Sequence, residues 1–288
     1  MFLRRSALFV FTFVIFFSDQ NNFVFGANSS NNEAFGYELL TSQIELLDYS
    51  IKAQMVSLVS GIKELVEATT TPKKLAVIPR SCKESQFKFT QIHPEKGFRE
   101  PFFVQCDQEY EGGGWTVIQN RFDGSVNFVR PWDEFKNGFG HLEGEFWLGL
   151  ERIHQLTYGR PHELHILLED FDGMRVVAKY SKFAIGSEAE LFKITNLGTY
   201  SGTAGDSFTS HKDNFFTTFD RDNDQSPTEN CAKVYSGAWW HANCHASNLN
   251  GLYLNGTTAT YANGMCWNGF RGYHYSLKSS KMLIKNPS

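Results

Sequence analysis

The chain has 288 residues, with 27 basic against 31 acidic side chains and a formal net charge of −4. This length suits one large domain with a small appendage, or two modest domains, and the lack of a basic excess argues against a protein held to nucleic acid through phosphates. Hydrophobic residues make up 41% and aromatic residues 15%, which excludes a disordered chain, and the 24 glycines show no three-residue period, which excludes collagen.

Eight of the 27 phenylalanines fall within the first 25 residues. There Arg4-Arg5 precede an apolar run over 7–17 and a polar break at Ser18-Asp19-Gln20. A basic start, a short apolar stretch and small residues at Gly26-Ala27 predict a secretory signal peptide over 1–27. The run is well short of the ~20 residues of a membrane-spanning helix, and no later segment is long and apolar enough to span a bilayer. The mature protein is therefore expected to be secreted and extracellular. Asn28-Ser-Ser30 opens a flexible lead-in and forms a glycosylation acceptor, as does Asn255-Gly-Thr257.

A helical pattern follows over 37–68. Leu40, Ile44, Leu47, Ile51, Met55, Leu58, Ile62 and Leu65 are spaced 4, 3, 4, 4, 3, 4, 3, a heptad seam with one stutter. This predicts a short coiled-coil helix that joins copies of the chain into dimers to tetramers. The other reading is an amphipathic helix packed on its own domain. Thr69 to Pro79 reads as a linker, because two prolines and β-branched residues end the helix.

From residue 80 to 288 the texture changes to short strands, many glycines and long irregular stretches. Alternation predicts strands at 114–119, 162–169 and 175–180, and short helices are expected near 131–135 and 150–156. Asn-Gly pairs at Asn250, Asn255, Asn263 and Asn268 mark the loop-rich C-terminal third. Five cysteines in an oxidising compartment imply two bridges and one leftover thiol. Many pairings are permitted; the short spacings favour Cys82–Cys106 and Cys231–Cys244, leaving Cys266.

The densest chemical signal is Asp220-Arg-Asp222-Asn-Asp224-Gln-Ser-Pro-Thr-Glu-Asn-Cys231. Alternating carboxylates followed by small polar residues suit a hard, oxygen-seeking cation such as calcium, although the loop lacks the glycine and terminal glutamate of an EF-hand. Just beyond, Tyr235-Ser-Gly-Ala-Trp-Trp240-His-Ala-Asn-Cys244-His245 reads as the wall of a small-ligand pocket. His241 and His245 stand four apart, yet a zinc site is disfavoured because no helix carries them and Cys244 is expected in a bridge. Catalytic readings lack parts. Glu143, Glu145, Glu151, Asp170 and Asp172 are better explained as charged-face residues than as a glycosidase pair, and no nucleophile elbow or phosphate loop occurs. The chain is not expected to be an enzyme.

The run Cys106-Asp-Gln-Glu-Tyr-Glu-Gly-Gly-Gly-Trp115-Thr-Val-Ile-Gln-Asn-Arg121-Phe-Asp-Gly strongly resembles the fibrinogen-related domain, as do Glu145-Phe-Trp-Leu-Gly-Leu150 and Trp239-Trp240…Asn243-Cys244-His245…Asn248-Leu-Asn-Gly251. The resemblance covers Ile78 to Pro287 and embraces fibrinogen chains, ficolins, tachylectins, tenascins and angiopoietins. It implies an α+β domain with a twisted, mainly antiparallel sheet and a loop-rich region holding one calcium ion. By this resemblance the calcium carboxylates fall on Asp222 and Asp224 and the carbonyl ligands near Ser226 and Thr228. The loop is one residue longer than in ficolins, so Glu229 is interchangeable with Thr228. The same two disulfides are implied, and Cys266 departs from the pattern as a buried thiol or an inter-chain link.

Acetyl-binding members of the family use an aromatic slot beside a cis peptide. The resemblance places that slot on Tyr235, His245, Tyr261, Ala262 and Tyr273 and the peptide at Asn243–Cys244. An acetyl methyl is suited to an apolar aromatic wall, and its carbonyl to fixed backbone N–H donors. Fibrinogen's peptide pocket needs acidic groups for an N-terminal amine, where this chain has Val234 and Tyr235. The implied function is a calcium-dependent lectin for acetylated glycans, with a role in innate immune recognition. The alternative is a receptor-binding or matrix ligand of the angiopoietin or tenascin type, its pocket purely structural.

Overall fold

In a computed structural model of the chain, the described residues are 31–69, 78–94, 100–158 and 160–286. The signal peptide, Asn28 and most of the linker lie outside them. The chain divides into two compact units, 1–76 and 77–288.

The first unit carries one helix, α1 (Asn31–Thr69). It starts inside the stretch expected as a flexible lead-in, because Asn31-Asn-Glu-Ala34 combines residues that favour a helix start with good helix formers. Leu40, Ile44, Leu47, Ile51, Met55, Leu58 and Ile62 are all exposed along it.

The second unit is α+β. Its strands are β1 (Phe89–Ile92), β2 (Phe102–Asp107), β3 (Trp115–Arg121), β4 (Phe139–Gly140), β5 (Phe146–Trp147), β6 (His162–Glu169) and β7 (Arg175–Ile185). They continue with β8 (Ile194–Leu197), β9 (Tyr200–Gly202), β10 (Ser247–Asn248), β11 (Gly256–Thr257), β12 (Cys266–Trp267), β13 (Tyr275–Ser276) and β14 (Ser279–Lys285). The helices are α2 (Trp132–Asn137), α3 (Leu150–Thr157), α4 (Cys231–Val234) and α5 (Asn268–Arg271). A ten-stranded sheet runs in the order β1-β2-β3-β14-β6-β7-β8, with β5 on β3, β4 on β5 and β9 on β7. The pairings in this sheet are antiparallel. The last strand, β14, lies between β3 and β6, so Met282 sits opposite both Gln119 and Ile166. It explains why Met282-Leu283-Ile284 is wholly apolar and fully buried: a central strand has no solvent face here.

The core is aromatic. Trp115, Trp147, Trp239, Trp240 and Trp267 are all buried, and three of their ring N–H groups find carbonyls: Trp147 on Phe135 (2.9 Å), Trp240 on Phe192 (2.8 Å) and Trp267 on Gly205 (2.9 Å). Two carboxylates expected on a charged face are instead interior. Glu145, 1% exposed, accepts the backbone N–H groups of Phe122, Asp123, Gly124 and Val126, and lies 3.9 Å from buried Arg121. Asp170, 0% exposed, accepts Met174 N–H and the Arg271 guanidinium. Their role is to satisfy turns that carry too many donors to be buried otherwise.

Candidate functional site

Loops 218–230 and 235–274 of the second unit carry the residues singled out in the sequence. Cys231 is bonded to Cys244 and Cys82 to Cys106, while Cys266 is free and buried. Burial pushes the Cys266 thiol up to about 12. Its position leaves no route to a second chain, so the inter-chain link is removed and the buried free thiol stands.

The acidic loop is organised by Asp224. One carboxylate oxygen accepts Ser226 N–H (2.8 Å) and the other accepts Cys231 N–H (2.8 Å), at the start of α4. Asp222 accepts Asp224 N–H at 3.3 Å. Burial, together with the Asp222 charge, raises the Asp224 carboxyl above its usual range. Asp220 plays a different part, accepting Trp132 N–H (3.0 Å) and the Thr218 hydroxyl (2.7 Å), which ties the loop base to α2. Among the described residues neither Asp222 nor Asp224 pairs with a cation, and no group of three His, Cys, Asp or Glu side chains gathers as a metal site. A cation held here would therefore draw on two carboxylates plus backbone carbonyls and water. Such an all-oxygen shell suits calcium rather than zinc. The carbonyls of Ser226 and Thr228 accept no hydrogen bond among the described residues, so the residue set fits a hard divalent ion.

This loop is joined to the next. Gln225 N–H, between the two metal-candidate residues Asp224 and Ser226, donates to Ala242 O (3.0 Å), and Ala242 N–H donates to Cys244 O (2.7 Å). The Asn243–Cys244 peptide is cis. The amides of Cys244 and His245 donate to nothing among the described residues. Around them stand the aromatic rings. Tyr235 meets His245 edge-on at 4.8 Å, Tyr261 lies 5.2 Å from Tyr273, and His245 lies 6.3 Å from Tyr273. Ala262, at φ +59°, turns its N–H to Tyr273 O (2.9 Å) and receives His245 Nε2–H on its carbonyl (3.1 Å). The Tyr273 hydroxyl donates to His245 O (3.2 Å). Tyr235, Asn243, Cys244, His245, Tyr261, Ala262 and Tyr273 are thus brought together. Tyr261 is the most open of the rings at 52% exposed.

Burial holds the His245 imidazole down to about 4, with the neighbouring His211 adding to the effect. Neutral and donating through Nε2, it leaves Nδ1 as a buried nitrogen with no partner. His241 is tied by its Nε2–H to Gly237 O (2.7 Å), which is scaffold work rather than zinc ligation.

Sequence reasoning missed three supporting residues. His211 is completely buried; Nδ1–H donates to Trp240 O (2.7 Å), and Nε2 accepts the N–H groups of Ala246 and Ser247 (3.2 Å each). It clamps both ends of the segment that carries the cis peptide. Asn248 donates to Tyr235 O (3.1 Å) and so holds the first wall residue. Gly237 makes room for it: a Cβ there would lie 2.2 Å from Asn248 Oδ1. His211 lies more than thirty residues upstream of the segment it supports, and no local motif marks it.

The sheet order, the bridges and the paired loops define the fibrinogen C-terminal globular fold. The family model described as fibrinogen beta and gamma chains, C-terminal globular domain, matches residues 78–287, and the chain belongs to that family. Among curated proteins it is 52% identical over 189 residues to fibrinogen C domain-containing protein 1 of Macaca fascicularis, Homo sapiens and Mus musculus. The alignment covers 64% of this chain and 43%, 41% and 41% of those proteins, so the chain spans about two fifths of their length. Among solved structures, the fibrinogen-like globe domain of human ANGPTL2 is similar at TM-score 0.69 and 44% identity, covering 73% of this chain and all of that one. That of human ANGPTL6 gives 0.69 and 40%, covering 76% and 100%. Lamprey fibrin D-dimer, complexed with the peptide Gly-His-Arg-Pro-amide, gives 0.68 and 29%, covering 89% and 91%. No helix among the described residues is long and apolar enough to cross a membrane.

Proposed function

We propose that this protein is a secreted, non-enzymatic, calcium-dependent lectin for acetylated glycans, multimerised through α1 and suited to recognising microbial surfaces in innate immunity. The observation that carries the reading is the convergence of Tyr235, Tyr261, Tyr273 and His245 on two backbone amides that have no partner of their own. An N-acetyl group matches that arrangement, with its methyl against the rings and its carbonyl on the Cys244 and His245 N–H groups. Calcium, when bound, supplies fixed positive charge to the 222–228 loop; Asp222 and Asp224, with the carbonyls of Ser226 and Thr228, would hold it. Gln225 and Ala242 transmit the loop's order to the amides of the slot. The exposed Asn255 is open to glycosylation. The exposed seam of α1 supports assembly, which multiplies weak sites into useful avidity.

The test is competition on an N-acetylglucosamine resin. N-acetylglucosamine, N-acetylgalactosamine and acetate are expected to displace the protein, whereas glucose and galactose are not. Equal displacement by acetylated and plain sugars would end the lectin reading. The second reading is a receptor-binding or matrix ligand of the angiopoietin or tenascin type, its pocket purely structural. It expects no acetyl dependence at all. A peptide pocket like that of the lamprey complex is less suited, because Val234 and Tyr235 stand where an amine would need carboxylates.

A further inference from the structure

A second concavity shares no residue with the aromatic slot. It is a cavity of 160 Å³ between the turn at 80–84, the ends of β3 and β14, and the chain just beyond α3. Arg80, Lys83, Arg160 and Lys285 line it, with Glu84 as the only carboxylate among its lining residues. Glu84 is already engaged, accepting Arg80 N–H at 2.8 Å. None of the four cations forms an ion pair among the described residues. The framework around them is fixed. The Cys82–Cys106 bridge anchors the turn. Gly114, at φ +77°, lets the backbone come so close that a Cβ would lie 3.2 Å from Lys83 Cα. Lys285 is held by a bond from Nζ to Gly113 O (2.7 Å), and Arg160 by its carbonyl, which accepts His162 Nδ1–H (2.8 Å).

Four cationic side chains against the single carboxylate of Glu84 leave a net excess of positive charge around one small cavity, and in a chain of net charge −4 no general basic excess accounts for the grouping. A doubly charged tetrahedral oxyanion offsets that excess, and guanidinium groups present paired donors to its oxygens. We infer that this cavity binds a sulfate or phosphate group, either as the free ion or as an ester on a polysaccharide. The inference goes beyond the lectin reading and does not depend on it.

The experiment uses the full chain with three probes: inorganic sulfate, dextran sulfate and unsulfated dextran. An Arg80→Gln/Arg160→Gln pair is compared with Lys182→Gln/Lys212→Gln, which removes the same charge from exposed positions outside the cavity. The wild type is expected to bind dextran sulfate and not dextran. Affinity should fall about tenfold in the cavity pair and less than twofold in the control pair. N-acetylglucosamine competition should be unchanged in both, so failure here is separable from failure of the acetyl site. Competition by inorganic sulfate at millimolar concentration assigns the ion itself as sufficient; binding of dextran sulfate without such competition assigns the polymer ester. Absence of binding to either sulfated probe, or equal losses in the two variant pairs, would overturn the inference.

Discussion

At the scale of single residues, the slot is an arrangement of neutral groups kept neutral by burial. His211 is the clearest case. Its two ring nitrogens face a carbonyl and a pair of N–H donors, so only one tautomer fits and a second proton would repel the donors. Burial accordingly holds it down to about 4. In the unfolded chain a histidine titrates near 6.5, so between those values the unfolded state binds more protons. Stability is therefore complete above pH ~6.5 and declines as the pH falls through about 4, with His211 alone accounting for about 3 kcal/mol. Thermal melts across pH 7.5 to 4 should show this loss, and His211→Gln should remove one histidine's share of it, because burial also holds down His165, His241 and His245; an unchanged slope in the variant would contradict the assignment. Tyr261 belongs to the opposite class. Half exposed and outside the core, it can be removed with little effect on stability. Tyr261→Ala should weaken acetyl-ligand binding about tenfold while shifting the melting temperature by no more than a degree or two. Titration and scanning calorimetry on the full chain check both figures.

At the scale of elements, the acidic loop and the segment 242–245 form one unit, stitched by the Cys231–Cys244 bridge and the Gln225–Ala242 bond. Asp224 already accepts the first N–H of α4, beside the Asn230 cap, so its substitution has two consequences. Asp224→Asn keeps part of the capping geometry but removes charge, and Asp222→Asn, at an exposed position, removes charge almost alone. If calcium is held here, millimolar calcium should raise the wild-type melting temperature by several degrees. The increment should shrink in Asp222→Asn and vanish in the double variant, with sugar retention following the same order. Equal calcium increments in all three proteins would place the ion elsewhere or nowhere. A different feature, β14, shows how the sheet closes: the last strand supplies the central rung between β3 and β6, so the domain's hydrogen bonding is finished only when the C-terminal segment is in place.

At the scale of the whole molecule, the proposed lectin function asks for assembly through the exposed stripe of α1. A small solvent-rimmed site gains few contacts and supports only weak single-site affinity. On the proposed reading, several copies on one assembly would convert this into strong retention on repetitive surfaces. A chain beginning at Pro79 should therefore be monomeric in light scattering, should bind N-acetylglucosamine with the same single-site affinity, and should agglutinate nothing. If the shortened protein keeps the full-length oligomer, assembly must run through faces of the globular domain instead.

Features that depend on local period and chemical type can be read directly along the chain. The 3.5-residue rhythm of Leu40 to Ile62 marks a long helix, the alternation of 162–169, broken only at Leu167, marks β6, and the signatures around Cys106, Trp115 and Cys244 mark the family. Of the slot residues, Asn243, Cys244 and His245 sit inside those signatures, whereas Tyr261, Ala262 and Tyr273 lie beyond them and were placed by the resemblance alone. The remaining features turn on partners far apart in the chain. Glu145 looks like a surface carboxylate until the 122–126 turn folds over it and hands it four N–H donors. Gln119 donates to Asn250 131 residues away, and His211 reaches Ser247 across 36. Cys266 reads as a spare thiol and ends fully enclosed. A buried polar group is chosen by the donors and acceptors that packing leaves unpaired, and those are fixed only once the whole chain has closed around them.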